Sequence, residues 1–247
     1  MNARPPGRPK GASPPRGEAR KASFGGITRR PAAVVLDMDG TLLDTEPLAA
    51  RAWGDAAAAI DVELDASLPH RMIGRTFADC RALVVEHHGP DYPTDRLMSG
   101  WHAAYDAIVE RDGLTLKPGV AELFDWLDAQ GIARAVATST RRERARAKLE
   151  HARLWTRIDA LVGGDEVARG KPAPDIFIAA AHRLGVPACV CVVLEDSEAG
   201  VLGALAAGMT PIMIPDLLPP SPAVLDAGTL VLATLDDAVA HLAALRA

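Results

Sequence analysis

The stretch VVLDMDGTLLDTEP occupies residues 34–47. Its apolar start reads as a buried strand, and it breaks off on two aspartates, Asp37 and Asp39, one residue apart. Gly40 and Thr41 follow, then Asp44 and Glu46. A buried carboxylate costs several kcal/mol unless something offsets its charge. Two expectations follow: a core strand that stops at Leu36, and a cation at its carboxyl end.

Other short apolar runs repeat the strand pattern at Ala133–Ala137, Ala160–Val162, 190–194, 211–214 and 230–232. Between them lie helical patterns at 120–129, 141–151, Asp175–Leu184, 198–207 and 235–245. Gly131, Gly185 and Gly208 stand where glycines end helices. Strands alternating with helices predict an α/β fold: a Rossmann-like parallel sheet covered on both faces, with ligands at the strands' carboxyl ends. One interval breaks the alternation. Residues 47–117 contain no strand-like run, and helices are expected at 48–60, 76–87 and 95–111. The predicted organisation is a basic tail (1–30), a core (31–46 and 117–247) and a helical cap (47–116) inserted after the first strand.

Bulk properties narrow the function. The 247 residues suffice for one to two domains, and 49% hydrophobic with 24% charged is ordinary globular composition. Aromatics are 4% and the net charge is −5, which does not favour nucleic acid as a partner. Residues 1–30 hold eight Lys/Arg and one Glu; subtracting that +7 from −5 leaves −12 for the rest. The tail is Pro/Gly/Arg-rich and aperiodic, so it is expected to be disordered, and it lacks the apolar stretch of a secretory signal. A transit-like segment, an anion-binding arm and a functionless extension all stay open. Three cysteines, Cys80, Cys189 and Cys191, show no CxxC spacing, which suits a reducing compartment and a cytoplasmic location. Cys189 and Cys191 alternate in an apolar run and are read as buried strand residues. The charge-free stretch 199–215 falls short of the roughly 20 apolar residues of a spanning helix. Gly208 and Pro211 interrupt it, so it reads as a helix then a strand, and no membrane association is expected. Oligomeric state stays open, with a monomer as the default.

Several polar groups follow predicted strands. Asp37 and Asp39 follow the first, Thr138 and Ser139 the second; Glu195 and Asp196 follow CVCVVL, and Lys171 lies in GKPAPDIF. Asp37 and Asp196 are hard oxygen ligands that suit Mg²⁺. Beside such a metal a carboxylate can attack phosphorus. Lys171 and the Thr138 hydroxyl would hold the other phosphoryl oxygens, since phosphoryl transfer needs mostly positioning and charge stabilisation. Asp39 would protonate the leaving oxygen and then activate water. Gly40 lets the chain turn tightly beside the phosphate.

The stretches DMDGTLLDTEP, Thr138-Ser139, GKPAPDIF and LEDSEAGVLGALAAGM resemble, in order and spacing, the haloacid dehalogenase superfamily, and within it the β-phosphoglucomutase-like phosphatases. The resemblance covers about residues 32–215. It implies a helical cap, Mg²⁺ and an aspartyl-phosphate intermediate. By that match Asp37 is nucleophile and metal ligand. Asp39 is acid/base, with its main-chain carbonyl also on the metal. Thr138, Ser139 and Lys171 bind phosphate, Asp196 ligates the metal, and Glu195 lies in or beside the metal's shell. Arg75, in HRMIGRT, and Arg141 are candidate substrate contacts; Asp44 and Glu46 are read as bracing the hinge. The face 141–148 is read as solvated, and His87 and His88 as loop residues.

The reading expected is a Mg²⁺-dependent phosphatase of a sugar phosphate or similar small phosphomonoester. The alternative is a phosphosugar mutase of the β-phosphoglucomutase type. A C–halogen dehalogenase has no use for Asp39 or a metal at Asp196, and the intact polar set argues against an inactive phosphate-binding module. The mutases this chain resembles carry a histidine at the position of Ala49 and a cap arginine near Phe77, beside Arg75.

Overall fold

The computed structural model describes residues 29–72 and 77–246. Most of the basic tail, and Arg75, lie outside the described residues. Six parallel strands form one sheet: β1 (Ala33–Leu36), β2 (Ala133–Ala137), β3 (Ala160–Val162), β4 (Cys191–Glu195), β5 (Thr210–Met213) and β6 (Leu230–Val231). Their spatial order is β3-β2-β1-β4-β5-β6. The winding reverses between β1 and β4, so the crevice of a doubly wound sheet opens at their carboxyl ends.

All four residues of β1 are buried because both faces of the sheet are covered. On one face Val34, Leu36, Val136, Val192 and Leu194 pack against α5 (Val120–Gln130), α6 (Arg142–His151) and α10 (Leu235–Ala243). On the other, Ala33, Val35, Ala135, Ala137 and Val193 pack against α7 (Asp175–Leu184). Helix α7 forms because Ile176, Phe177, Ala180 and Ala181 recur on one side, and all four are buried. Gly185 ends it at φ +69°. Helix α8 (Glu198–Ala206) starts at Ser197, whose hydroxyl accepts from the Gly200 N–H at 3.1 Å.

Residues 199–215 fold as nearly all of α8 followed by β5, as expected. Among the described residues, no helix is long and apolar enough to cross a membrane. β4 begins one residue later than its apolar run. Residues 188–190 form a 3₁₀ turn after Pro187, so Cys189 is exposed and only Cys191 is buried in the strand. That corrects the expectation that both cysteines are buried. Two five-residue helices, α2 (Leu68–Met72) and α9 (Pro222–Asp226), were not anticipated; they are too short to show a period.

Between β1 and α5 the chain forms α1 (Glu46–Ala58), α2, α3 (Phe77–His88) and α4 (Thr94–Asp112). These helices have a core of their own, with Trp53, Leu68, Met72, Leu83, Val84 and Leu97 buried together. Two chain segments join this helical insert to the sheet domain, side by side. Asp44 N–H donates to the Thr115 carbonyl and Lys117 N–H to the Leu42 carbonyl, both at 2.9 Å. Lys117 Nζ ties the junction to the segment after β5 through Asp216 Oδ1 at 2.5 Å. Asp44 stands 3.8 Å from the same ammonium.

Candidate active site

β1 and β4 are neighbours in register, Leu36 opposite Leu194. The chain leaves β1 at Asp37, whose N–H still donates to the Leu194 carbonyl at 3.0 Å. The ladder therefore sets Asp37 beside Glu195 and Asp196 across 158 residues of sequence. Asp37 and Glu195 are buried. Lys171 Nζ donates to Asp37 Oδ1 and to Glu195 Oε1, each at 2.5 Å. Its own side chain is 6% exposed and lies over the Phe177 ring at 5.3 Å.

Two glycines make the room. Gly40 has φ +89°, and a Cβ there would stand 2.4 Å from Asp196 Oδ2. A Cβ at Gly200 would meet Glu195 Oε1 at 1.7 Å. Glu195 is fixed from its other oxygen, which accepts from Ser197 N–H at 2.8 Å and Ser197 Oγ at 2.9 Å.

Three carboxylates face one ammonium. Burial raises the Asp37 carboxyl to about 7, against the pull of Lys171 and with the help of Glu195. Burial, then the charges of Asp37 and Glu195, raise Asp196 to about 9. Asp196 accepts one hydrogen bond from Thr41 Oγ1 at 3.2 Å. This surplus of buried negative charge and oxygen donors fits a hard divalent cation. Among the described residues no preformed cage of three His, Cys, Asp or Glu side chains exists. Mg²⁺ does not require one, since it binds through one or two carboxylates and keeps waters.

Asp39 is held differently. Its Oδ1 accepts from Lys148 Nζ at 2.7 Å and its Oδ2 from Thr140 Oγ1 at 2.8 Å. Burial alone would raise this carboxyl; the Lys148 ammonium, with hydrogen bonds from Lys148, Thr140 and Thr45, outweighs that and holds it below the usual range. Lys148 was missed at the sequence level. The face 141–148 is not uniformly solvated: Lys148 is 14% exposed, and its ammonium lies 4.8 Å from the centre of the Tyr105 ring on α4. The signal was there in part, because Lys148 is one position from Leu149 and three from Ala145, the two buried residues of α6.

One cavity of about 320 Å³ collects Asp37, Asp39, Thr138, Ser139, Lys171 and Asp196, with Thr45, Thr140 and Lys148 added. Thr138 is buried, its N–H on the Val162 carbonyl at 3.1 Å, and its Oγ1 accepts from Thr140 N–H at 3.1 Å. Ser139 is exposed at the rim. Arg141 is not among the cavity-lining residues: its side chain is 78% exposed and stands 3.7 Å from Asp165. The structure thus does not bring Arg141 to the substrate position, and Arg75 lies outside the described residues. Glu46 lines the cavity, its carboxyl raised by burial and by the charges of Asp39 and Asp216, a position closer to the site than a hinge brace.

Replacing Lys148 with methionine is expected to lower kcat about tenfold to a hundredfold, part of the 10²–10⁴ that a positioned proton donor contributes. Lys148→Arg restores the charge and recovers part of that loss. A Met variant with wild-type kcat would show that Asp39 needs no partner on α6.

The model of the haloacid dehalogenase-like hydrolase family matches residues 31–208. (DL)-glycerol-3-phosphatase 2 of Arabidopsis thaliana is 34% identical over 79% of this chain and 82% of its own. A bifunctional riboflavin kinase/FMN phosphatase of the same plant is 30% identical over 74% of this chain, which spans only about half (48%) of that longer protein. A Thermotoga maritima crystal structure, named a candidate β-phosphoglucomutase, superposes with a TM-score of 0.73 at 30% identity, over 85% of this chain and 98% of that one. The cluster at the end of β1 and β4 and these likenesses agree: the chain belongs to the haloacid dehalogenase-like hydrolases and is a phosphoric monoester hydrolase.

Proposed function

We propose that the chain hydrolyses a small phosphomonoester through an aspartyl-phosphate on Asp37, with Mg²⁺ as cofactor and residues 47–116 as the cap. The observation that carries the reading is the pairing of two unlike carboxylates at the end of β1. Asp37 lies against Lys171 and Glu195, while Asp39, two residues on, lies against Lys148 and Thr140. Asp37 attacks phosphorus, a bond forms from its carboxylate oxygen, and the ester P–O bond breaks. The protonated form of Asp39 delivers its proton to the leaving oxygen, and the carboxylate it becomes is the one that Lys148 and Thr140 hold. That carboxylate then takes a proton from a water that attacks the phosphoaspartate, which releases inorganic phosphate and regenerates Asp37. Lys171 and Thr138 hold the phosphoryl oxygens. A Mg²⁺ held by Asp37, Asp196 and the Asp39 carbonyl, with Glu195 in or beside its shell, would neutralise charge on those oxygens.

A screen of phosphomonoesters for phosphate release tests the activity. Exhaustive chelation is expected to abolish it and Mg²⁺ to restore it. Ca²⁺ is expected to inhibit, because its longer bonds and higher coordination number suit the site poorly. Full activity after chelation overturns the metal assignment.

The mutase reading predicts a phosphoenzyme shielded from water until a second sugar arrives. Ala49 lines the cavity where the resembling mutases place histidine, and Phe77 stands near the position of their cap arginine. With β-glucose 1-phosphate and a trace of the 1,6-bisphosphate, free phosphate is expected to form faster than glucose 6-phosphate. The reverse order establishes a mutase.

A further inference from the structure

The cavity is bipartite. Its floor, from the sheet, is charged. Its opposite wall, from the helical insert, includes Ala49, Trp53, Met72, Phe77, Trp101 and Tyr105. The chain has only ten Phe, Trp and Tyr residues, and four of them line this one cavity. Their rings meet in tilted and stacked pairs. Centroid separations are 5.4 Å for Trp53–Trp101, 5.8 Å for Phe77–Trp101 and 5.2 Å for Trp101–Tyr105. Phe77 also stacks on His102 at 5.0 Å, yet it stays 40% exposed. A large apolar ring left open in a cleft, beside rings that are otherwise packed, marks a surface kept for a ligand.

Among the described residues the wall offers few hydrogen-bonding groups, and one of them, the Tyr105 hydroxyl, is buried without a partner. Trp101 Nε1 donates to the Ala49 carbonyl at 3.2 Å. The ammonium nearest the Tyr105 ring belongs to Lys148, which is committed to Asp39. A polyol pressed against this wall would give up its water for few partners among the described residues, which is costly. A planar aromatic body would lose nothing and gain contact area.

We infer that this site selects phosphomonoesters whose alcohol carries a planar aromatic or otherwise apolar body over polyol phosphates of similar size. The inference rests on the phosphatase reading above and names its substrate class. It assigns Trp53, Phe77 and Trp101 to the leaving-group subsite.

The test compares two primary-alcohol esters of similar size, 2-phenylethyl phosphate and glucose 6-phosphate. The expected kcat/KM ratio favours the aryl ester by about tenfold or more, through KM, as befits burial of one phenyl ring. Phe77→Ala is expected to shrink that ratio by about fivefold, the share of one ring in an aromatic cluster. Phe77 is open enough that the fold does not depend on it. Binding of the corresponding methylene phosphonates, followed by calorimetry, needs no turnover. Tighter aryl phosphonate binding supports the inference even if neither ester is hydrolysed, in which case only the phosphatase reading falls. Equal or tighter binding of the glucose analogue, or a ratio unmoved by Phe77→Ala, overturns it.

Discussion

Asp37→Asn is expected to lower kcat by more than a thousandfold, at least about 4 kcal/mol in barrier terms, while the fold stays intact. The amide has the shape of the carboxylate but cannot attack phosphorus, and it contributes a poorer donor to a hard cation. Stability should move the other way or not at all. Burial already raises Asp37 to about 7 from its ordinary 3.8, so above neutral pH its ionised form weighs against the folded state. Asn carries no such charge, and Lys171 keeps Glu195 as a partner. At pH 8 the melting temperature of the variant is expected to equal or exceed that of the wild type. Residual kcat above about a thousandth of the parent's would remove Asp37 from the nucleophile's role. A collapsed melting temperature would show that it braces the fold instead.

That opposition of activity and stability is what a buried reactive carboxylate entails, and it explains which parts of the site could be read in advance. Asp37, Glu195 and Asp196 were legible because they terminate apolar runs, and the register of a parallel ladder carries such ends to one place. Strand β1 was legible in full: burial on both faces demands an unbroken apolar run, and VVL followed by Asp supplies one with a sharp end. The boundaries that slipped lie where turn chemistry competes with apolar pattern, as at Pro187, where a 3₁₀ turn takes Cys189 out of the strand.

Lys148 was illegible for a different reason. On α6 it is one cation in a run of charged residues, and only the arrival of Asp39 beneath it and Tyr105 beside it separates it from its neighbours. Both partners come from elsewhere in the chain, so no local period records the contact. The aromatic wall was hidden likewise. Trp53, Phe77 and Trp101 sit on three different helices, and each alone reads as a core residue. The 40% exposure of Phe77 is a fact of the assembled cavity.

The cation that does stand at the end of β1 is Lys171, and its removal should be the most damaging single change to the fold, with a large loss of activity beside it. Lys171→Met keeps an unbranched apolar stem and deletes the ammonium that Asp37 and Glu195 share and that lies over the Phe177 ring. Three carboxylates then face one another with no internal counter-charge. Breaking a buried ion pair by removing one partner costs about 3–5 kcal/mol. For a chain of this size that corresponds to a fall of about 10 °C in melting temperature. The fall should depend on pH, with a definite sign. Asp37 and Asp196 already have folded values above their ordinary ones, and losing the ammonium, which lowers both, raises them further. The folded variant therefore binds more protons than the unfolded chain, and its stability declines as pH rises above the unfolded carboxylate value of about 4. Thermal melts in chelator at pH 5.5 and pH 8 should recover part of the deficit at the lower pH. Turnover should fall by about 10²–10³, the loss seen when one preorganised electrostatic partner of a transition state is deleted. A variant that melts with the wild type at both pH values would mean that Lys171 is not the charge that makes this buried carboxylate cluster tolerable.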